Sequence, residues 1–427
     1  MKVYIRPDTD YYYPTLYVLK IMEKNQNFSF DFVGDVENAT IIWDHLNIKS
    51  QPIHLAFYDT LKNHKDGLSH IFQFNSDPAI YTEKGQKDVV ATIFYMINCL
   101  QEYNQTEDNS DAFGRFKFES SYQFRFGVTE ENLVQHEIDS FFKKFRINGT
   151  NEKSSFFISH DVDNLYGSFV QDGFWALKKM RIDIILRLIA NELIRNPHWK
   201  NMDKIIKLNN EYDIRSTFFW LVNQGTGKKN IRNADYTIKK EKDLVHIVNK
   251  SGFFNGLHKS CSDMSINEEL QKGELNTRYN RYHFLNFSTY SDWEKISASE
   301  IKLDCSLGFA ERYGFRNSYG QSFQPFNFEK NQPFDFIETP LTFMDTTFYK
   351  YMKQPANNIG NSIIDFYERN SYNCHHSLLW HNTSFTNYKY GSLLKEYKKI
   401  IGYLYETKIA AITPDEIIDK YTLGWDF

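Results

Sequence analysis

Ser155-Phe156-Phe157-Ile158-Ser159-His160-Asp161-Val162-Asp163-Asn164 is an apolar, strand-like run that delivers two carboxylates into a polar loop. Residues i and i+2 of an extended segment face the same way, so Asp161 and Asp163 can converge on one metal ion or one water. Like charges held that close raise one pKa unless a cation lies between them. A metal site with an adjacent base is the simplest use of the pair. A blander use stays open, in which Asp161 caps a following helix and Asp163 is a solvated loop residue.

Downstream, short apolar runs alternate with amphipathic helical patterns, as in parallel β/α architecture. The runs are 156–159, 216–221, 252–257, 301–303, 334–338, 377–380 and 408–412, and the helical patterns are 202–212, 239–249, 267–276, 359–369 and 392–406. An additional apolar helix, 182–197, looks inserted after the first strand. About seven strands can close an irregular barrel, whose functional groups would sit at the carboxyl ends of the strands. Asp161, Asp163, His258, Asp304 and His381 all fall at or just after such ends. A final helix is marked by Thr413-Pro414-Asp415-Glu416, which places a capping hydroxyl, a first-turn proline and a third-position glutamate in order.

Upstream, a helical pattern over 131–145 runs into the polar stretch 148–154, which predicts a domain boundary. Residues 1–150 read as a smaller α/β or α+β domain of unknown role, with strands near 3–5 and 39–43 and a helix near 89–103, and residues 151–427 as the barrel. A chain of 427 residues exceeds what one core usually serves.

Composition narrows the partners. Net charge is −4 with no long Lys/Arg run, so nucleic acid is not expected. The start, MKVYIRPDTDYYYP, lacks the apolar segment of roughly 7 to 15 residues that a signal peptide requires. Asp183, Arg187, Asn191 and Glu192 interrupt the most apolar helix, which therefore predicts no transmembrane span but leaves peripheral membrane contact open. Cys99, Cys261, Cys305 and Cys374 stand singly, so neither a disulfide framework nor a thiolate zinc site is expected, and a cytoplasmic location fits best.

Four further segments carry chemistry-bearing residues. Gly252-Phe253-Phe254-Asn255-Gly256-Leu257-His258-Lys259-Ser260 ends a strand in a histidine; Arg278-Tyr279-Asn280-Arg281-Tyr282-His283-Phe284 joins a guanidinium to an imidazole; Asp304-Cys305-Ser306 precedes Gly314-Phe315-Arg316; Ser377-Leu378-Leu379-Trp380-His381 again ends in histidine. Each alone reads as strand plus polar loop, whereas their order at successive strand ends favours a site.

That order resembles the polysaccharide deacetylase family, the NodB-homology group of carbohydrate esterases, over about residues 155–420. The resemblance implies a (β/α)7-type barrel of the NodB kind. It implies Asp161 as catalytic base, Asp163 and His258 as metal ligands, Arg281 as the arginine holding the base, Asp304 as a motif carboxylate, and His381 as general acid. Thr217-Phe218-Phe219 resembles a packing strand of the family, and Gly314-Phe315-Arg316 places Arg316 at the substrate. Where the family has a second histidine four residues after the first, this chain has Ser262. His283 and Asp263 are the candidate replacements; His283 is favoured, because a two-histidine, one-carboxylate set suits Zn2+ and leaves positions open. Trp380, with Trp220, Tyr282 and Phe315, is a candidate flat face for a sugar, with burial in the core the alternative for each. The activity implied is removal of an N-acetyl or other N-acyl group from an amino sugar of a surface glycan or its precursor. An inactive carbohydrate-binding barrel, or another C–N hydrolase such as a deformylase, are the alternatives.

Overall fold

The structure is a computed structural model that describes residues 1–63 and 74–425. Its first part is a three-stranded parallel sheet of order β2-β1-β3, built from β1 (Lys2–Ile5), β2 (Asp31–Phe32) and β3 (Ile41–Trp43). Helices α1 (Tyr12–Gln26), α2 (Leu55–Asn63), α3 (Val89–Ile97), α4 (Tyr122–Phe126) and α5 (Leu133–Lys144) accompany it. Helix α3 starts where the Asp88 side chain accepts from the Ala91 N–H, and it is apolar all round because it is buried on every side.

The second part begins with β4 (Ser155–Val162), the helices α6 (Ser168–Lys178), α7 (Ile182–Leu193) and α8 (Met202–Asn210), and β5 (Thr217–Trp220). It continues through α9 (Lys242–Lys250), β6 (Phe254–Lys259), α10 (Ile266–Gly273), β7 (Tyr279–Tyr282), α11 (Thr289–Ser297) and β8 (Leu303–Asp304). A hairpin of β9 (Phe326–Asn327) and β10 (Gln332–Pro333) precedes β11 (Ile337–Glu338), β12 (Phe343–Met344), α12 (Ile359–Arg369), β13 (His375–Leu379), α13 (Gly391–Glu406) and α14 (Pro414–Tyr421).

Eight of these strands form one parallel sheet in the order β11-β8-β7-β6-β5-β4-β13-β12. A flat sheet of that width would separate its edge strands by roughly 33 Å. The edges β11 and β12 are joined by only the four residues between Glu338 and Phe343, which reach less than about 20 Å. The sheet therefore curls towards closure and stays open between β11 and β12, where no pairing joins them. The expected seven-stranded barrel is in this respect corrected to a curled sheet of eight. Strands β7 and β12 lie outside the apolar runs, β7 because it carries Arg281 inside the fold and β12 because it is two residues long. The run 408–412 is not a strand; Ala411 alone bridges to Phe156.

One hydrophobic core runs without a break from Val3 to Leu423, so the two sheets share an interior. Tyr17 donates to the Gln324 carbonyl at 2.8 Å across that junction. All four cysteines are buried and unpaired. Among the described residues no helix is long and apolar enough to cross a membrane.

Candidate active site

Side chains alternate across a strand, and the register of β4, β6 and β7 decides which of them meet. His258 on β6 stands beside Arg281 on β7, and both point to the concave side with Asp161 of β4. Gly256 makes room for this. A Cβ there would lie 2.5 Å from the Phe219 ring, and that ring supports the Arg281 guanidinium at 4.5 Å. Arg281 donates from Nη1 to Asp161 Oδ1 at 2.8 Å and to Ser159 Oγ at 2.9 Å, and from Nε to the Cys305 carbonyl at 3.0 Å. The pair is fully buried, so its opposite charges meet with little screening.

Asp163, His258 and His283 bring one ligand atom each within 4.8 Å of one another. The tautomers follow from the partners. His258 Nδ1 faces the Arg281 carbonyl at 2.9 Å and His283 Nε2 faces the Arg232 carbonyl at 3.0 Å, and a carbonyl can only accept. Each ring therefore spends its N–H on backbone, and in the neutral rings two lone pairs, His258 Nε2 and His283 Nδ1, face each other at 3.0 Å. Asp163 Oδ1, buried and without a hydrogen-bond partner, lies 3.4 Å from the first and 3.6 Å from the second. Such a set asks for a cation, and N–H groups given to backbone carbonyls are the usual support of ligating histidines. The donor set N, N, O suits zinc.

The charges agree with that. Burial lowers the His283 pKa to about 4, leaving it a neutral ligand. For His258 burial works the same way, but Asp161 and Asp163 outweigh it and draw its pKa upward, so the field that attracts a proton there would attract a metal. Burial disfavours the Asp163 carboxylate, yet His283, His258 and His381 around it hold its pKa below the ordinary value.

His381 lies across the cavity, with Nε2 3.7 Å from Asp163 Oδ2. Its Nδ1 pairs with Asp345 Oδ1 at 2.6 Å, and Asp345 Oδ2 also accepts from the His381 N–H and from Ser384 Oγ. Burial alone would strip the His381 proton; Asp345, seconded by Asp163 and Asp161, raises its pKa to about 9. Asp345 was missed by sequence reasoning, although its position directly after the short apolar pair Phe343-Met344 is the same strand-end signal that marks Asp161.

The cavity these groups line has a volume of about 190 Å³ and is walled by Trp199, Phe284, Tyr349, Tyr351 and Tyr390. Arg115, from the first part of the chain, also lines it. Its guanidinium pairs with Asp111 at 2.6 Å and donates to the Phe284 carbonyl at 2.9 Å. Phe284 and Leu285 both adopt positive φ, 60° and 52°, a conformation that costs about 1–3 kcal/mol per residue, so Arg115 helps to hold the strained turn that follows His283. No sequence signal pointed to Arg115.

Several expected site residues are not brought here. Asp304 faces the opposite side of the sheet, where Asn280 donates to it and the buried Glu338 lies beside it; one step of strand alternation separates Asn280 from Arg281. Arg316 is buried against Glu102, forming two hydrogen bonds of 2.8 and 2.7 Å that pin the two parts of the chain together. Trp380 is fully buried against Tyr397 and is no sugar platform. Trp220, Tyr282 and Phe315 are buried too, outside the cavity wall. Asp263 is exposed and paired with Lys228 at 2.7 Å. Ser262, at the place of the absent histidine, instead donates to Glu269, which also holds Lys259.

Fold and site together describe an α/β protein with a buried candidate metal centre at the carboxyl ends of a curled parallel sheet. A family model described as "Family of unknown function (DUF7033)" matches residues 5–149. No curated protein matches the chain. Among solved structures, a protein assigned as a polysaccharide deacetylase involved in O-antigen biosynthesis in Bordetella bronchiseptica is similar over 62% of this chain and 84% of its own, with 13% identity and a TM-score of 0.32. One assigned as a polysaccharide deacetylase from Mycobacterium smegmatis covers 65% and 95%, with 9% identity and a TM-score of 0.40. A CE4 family pseudoenzyme from Bacillus anthracis covers 64% and 69%, with 12% identity and a TM-score of 0.29.

Proposed function

We propose that this chain is a metal-dependent hydrolase that removes an N-acetyl or other N-acyl group from an amino sugar of a surface glycan or glycan precursor. The observation that carries the reading is the convergence of two imidazole lone pairs and the half-buried Asp163 carboxylate, whose Oδ1 has no hydrogen-bond partner, flanked by Asp161 held by Arg281 and by His381 held by Asp345. Asp163, His258 and His283 would hold a divalent cation, Zn2+ by donor type, which supplies Lewis acidity to a carbonyl and lowers the pKa of water.

The chain's own groups divide the proton work. Asp161, held by the Arg281 guanidinium at 2.8 Å, accepts the proton of the attacking water. The water oxygen bonds to the amide carbon, whose C–N bond must then break. An amine does not leave as an anion, and His381, whose Nδ1 is committed to Asp345, offers the Nε2 proton to the departing nitrogen. The aromatic walls of the cavity suit the flat faces of a sugar, and the choice of an amino-sugar amide follows the motif resemblance. Four buried, unpaired cysteines fit a reducing, cytoplasmic compartment.

Metal analysis of wild type beside His258→Ala and His283→Ala, with acetate release from N-acetylated sugar oligomers measured on the same samples, tests this. About one metal per chain, lost in both variants together with acetate release, is expected. Absence of metal from wild type under metal-replete conditions would turn the reading to an inactive carbohydrate-binding barrel, and release of formate in place of acetate would turn it to a deformylase.

A further inference from the structure

Helices α6 and α7 form a hairpin whose outward side is apolar. Val170, Phe174 and Leu177 recur at helical spacing on α6, and Ile182, Leu186, Ile189 and Leu193 do so on α7, all of them exposed. Across the described residues 21 large hydrophobic side chains are exposed, and 11 of them fall between Tyr166 and Ile194, so this is a concentration and not a scatter. The hairpin's inner side is satisfied separately, by Ala176, Ile184 and Leu188 packed with Trp175 and Tyr388. Helix α7 therefore carries an apolar stripe on two sides, and α6 turns its apolar stripe outward while burying Ser168, Asp172 and Ala176, where a helix covering a core would turn a polar face outward.

We infer that this hairpin docks on an anionic lipid surface, lying in the plane of the bilayer interface. Charge selects that occupant. Residues 166–200 hold six Lys or Arg against three Asp or Glu, within a chain whose net charge is −4. Of the three acids, Asp172 is paired with Lys389 and Asp183 with Arg181. Lys178, Lys179, Arg187 and Arg195 have no ion pair among the described residues and flank the apolar stripes. An apolar face rimmed by Lys and Arg is the composition of interfacial helices, which sink roughly 5–10 Å into the headgroup boundary. A second copy of the chain fits less well, because a symmetric interface would set each of these cations near its own copy.

The hairpin grows out of the rim of the cavity. Asn164 and Gln171 on its ascending side and Trp199 on its return all line that cavity. Docking would set the opening at the headgroup level, and, resting on the hydrolase reading above, makes the substrate an amino sugar attached to a lipid.

The test is sedimentation of the full chain with phosphatidylcholine vesicles and with vesicles containing phosphatidylglycerol, for wild type, for Leu186→Ser/Ile189→Ser and for Lys178→Glu/Lys179→Glu. Wild type should pellet with the anionic vesicles, less with the neutral ones, and less at high salt. The serine variant should bind roughly tenfold or more weakly while keeping the wild-type melting temperature and acetate release from a water-soluble N-acetylated oligomer. Wild type remaining in the supernatant, or a serine variant that pellets like wild type, would overturn the proposal. So would a wild-type dimer in light scattering that the serine substitutions dissolve in the absence of any vesicle binding. Vesicle binding without hydrolysis of any sugar amide would leave the docking standing and defeat the hydrolase reading instead.

Discussion

Two buried carboxylate centres sit at strand ends of the same sheet, Asp161 with Arg281 on the concave side and Asp304 with Glu338 on the other. Adjacent residues of β7 serve them: Arg281 reaches Asp161 at 2.8 Å, and Asn280 reaches Asp304 at 2.6 Å. A guanidinium is ion-paired with the first carboxylate. The second has only neutral donors, so burial raises both Asp304 and Glu338 above the ordinary carboxylate range. One centre sets an ion-paired carboxylate beside an open cavity, the other encloses two carboxyl groups inside packing, where burial favours their protonated forms. Position at a strand end therefore does not by itself bring a carboxylate to the cavity; the face it occupies does.

The largest effect expected from breaking this contrast is on turnover. Asp161→Asn should lower kcat/KM by ~10²–10⁴-fold while metal content holds, whereas Asp304→Asn should leave kcat/KM at the wild-type level; equal losses in a steady-state assay would erase the distinction. Next comes stability, with two buried arginines compared. Arg281→Ala and Arg316→Ala each strand a buried carboxylate, which costs about 3–5 kcal/mol in denaturant unfolding. Only Arg281→Ala should also depress turnover, and a KM effect of Arg316→Ala without destabilisation would contradict its role as a pin between the two parts of the chain.

A smaller effect concerns pH. His381 is raised to about 9, so its proton is present below that pH and lost above it. Asp345→Asn removes the neighbouring negative charge, and the alkaline limb of the kcat/KM profile should move to lower pH; an unmoved limb would dissociate His381 from it. The smallest effect is acid stability. Burial lowers His160 and His376 to about 4 and His375 to about 3, against an ordinary 6.5. The unfolded chain binds these protons first, so their contribution to stability is complete above pH 6.5 and declines as pH falls towards 4. His376→Gln, within a cage that includes Phe156, Phe343 and Phe366, should reduce the slope of stability against pH in that window by about one proton.

Local chemistry was legible. The capping box at Thr413 and Glu416 is formed as its spacing requires, and six of the seven apolar runs overlap strands of the parallel sheet, because apolar runs bounded by polar loops have few other ways to bury themselves. Strand β7 was not legible as an apolar run, since an arginine in a strand reads as surface until a carboxylate from 120 residues away is brought to it. The expectation that His283, and not Asp263, completes the ligand set rested on donor chemistry, and the structure sets His283 beside His258 while leaving Asp263 in solvent.

By itself the sequence determined most of the strands of the parallel sheet, that carboxylates and imidazoles stand at their ends, and that an apolar helix interrupted by polar residues follows the first of them. Only the tertiary structure decided that Asp345 backs His381, that Asp304, Arg316 and Trp380 belong to packing, and that Arg115 crosses from the first part of the chain to the cavity. The reason is physical. Composition and period are properties of a segment, whereas the face a side chain occupies and the partner it meets depend on register, curl and the shared core, which bring together residues far apart in the chain.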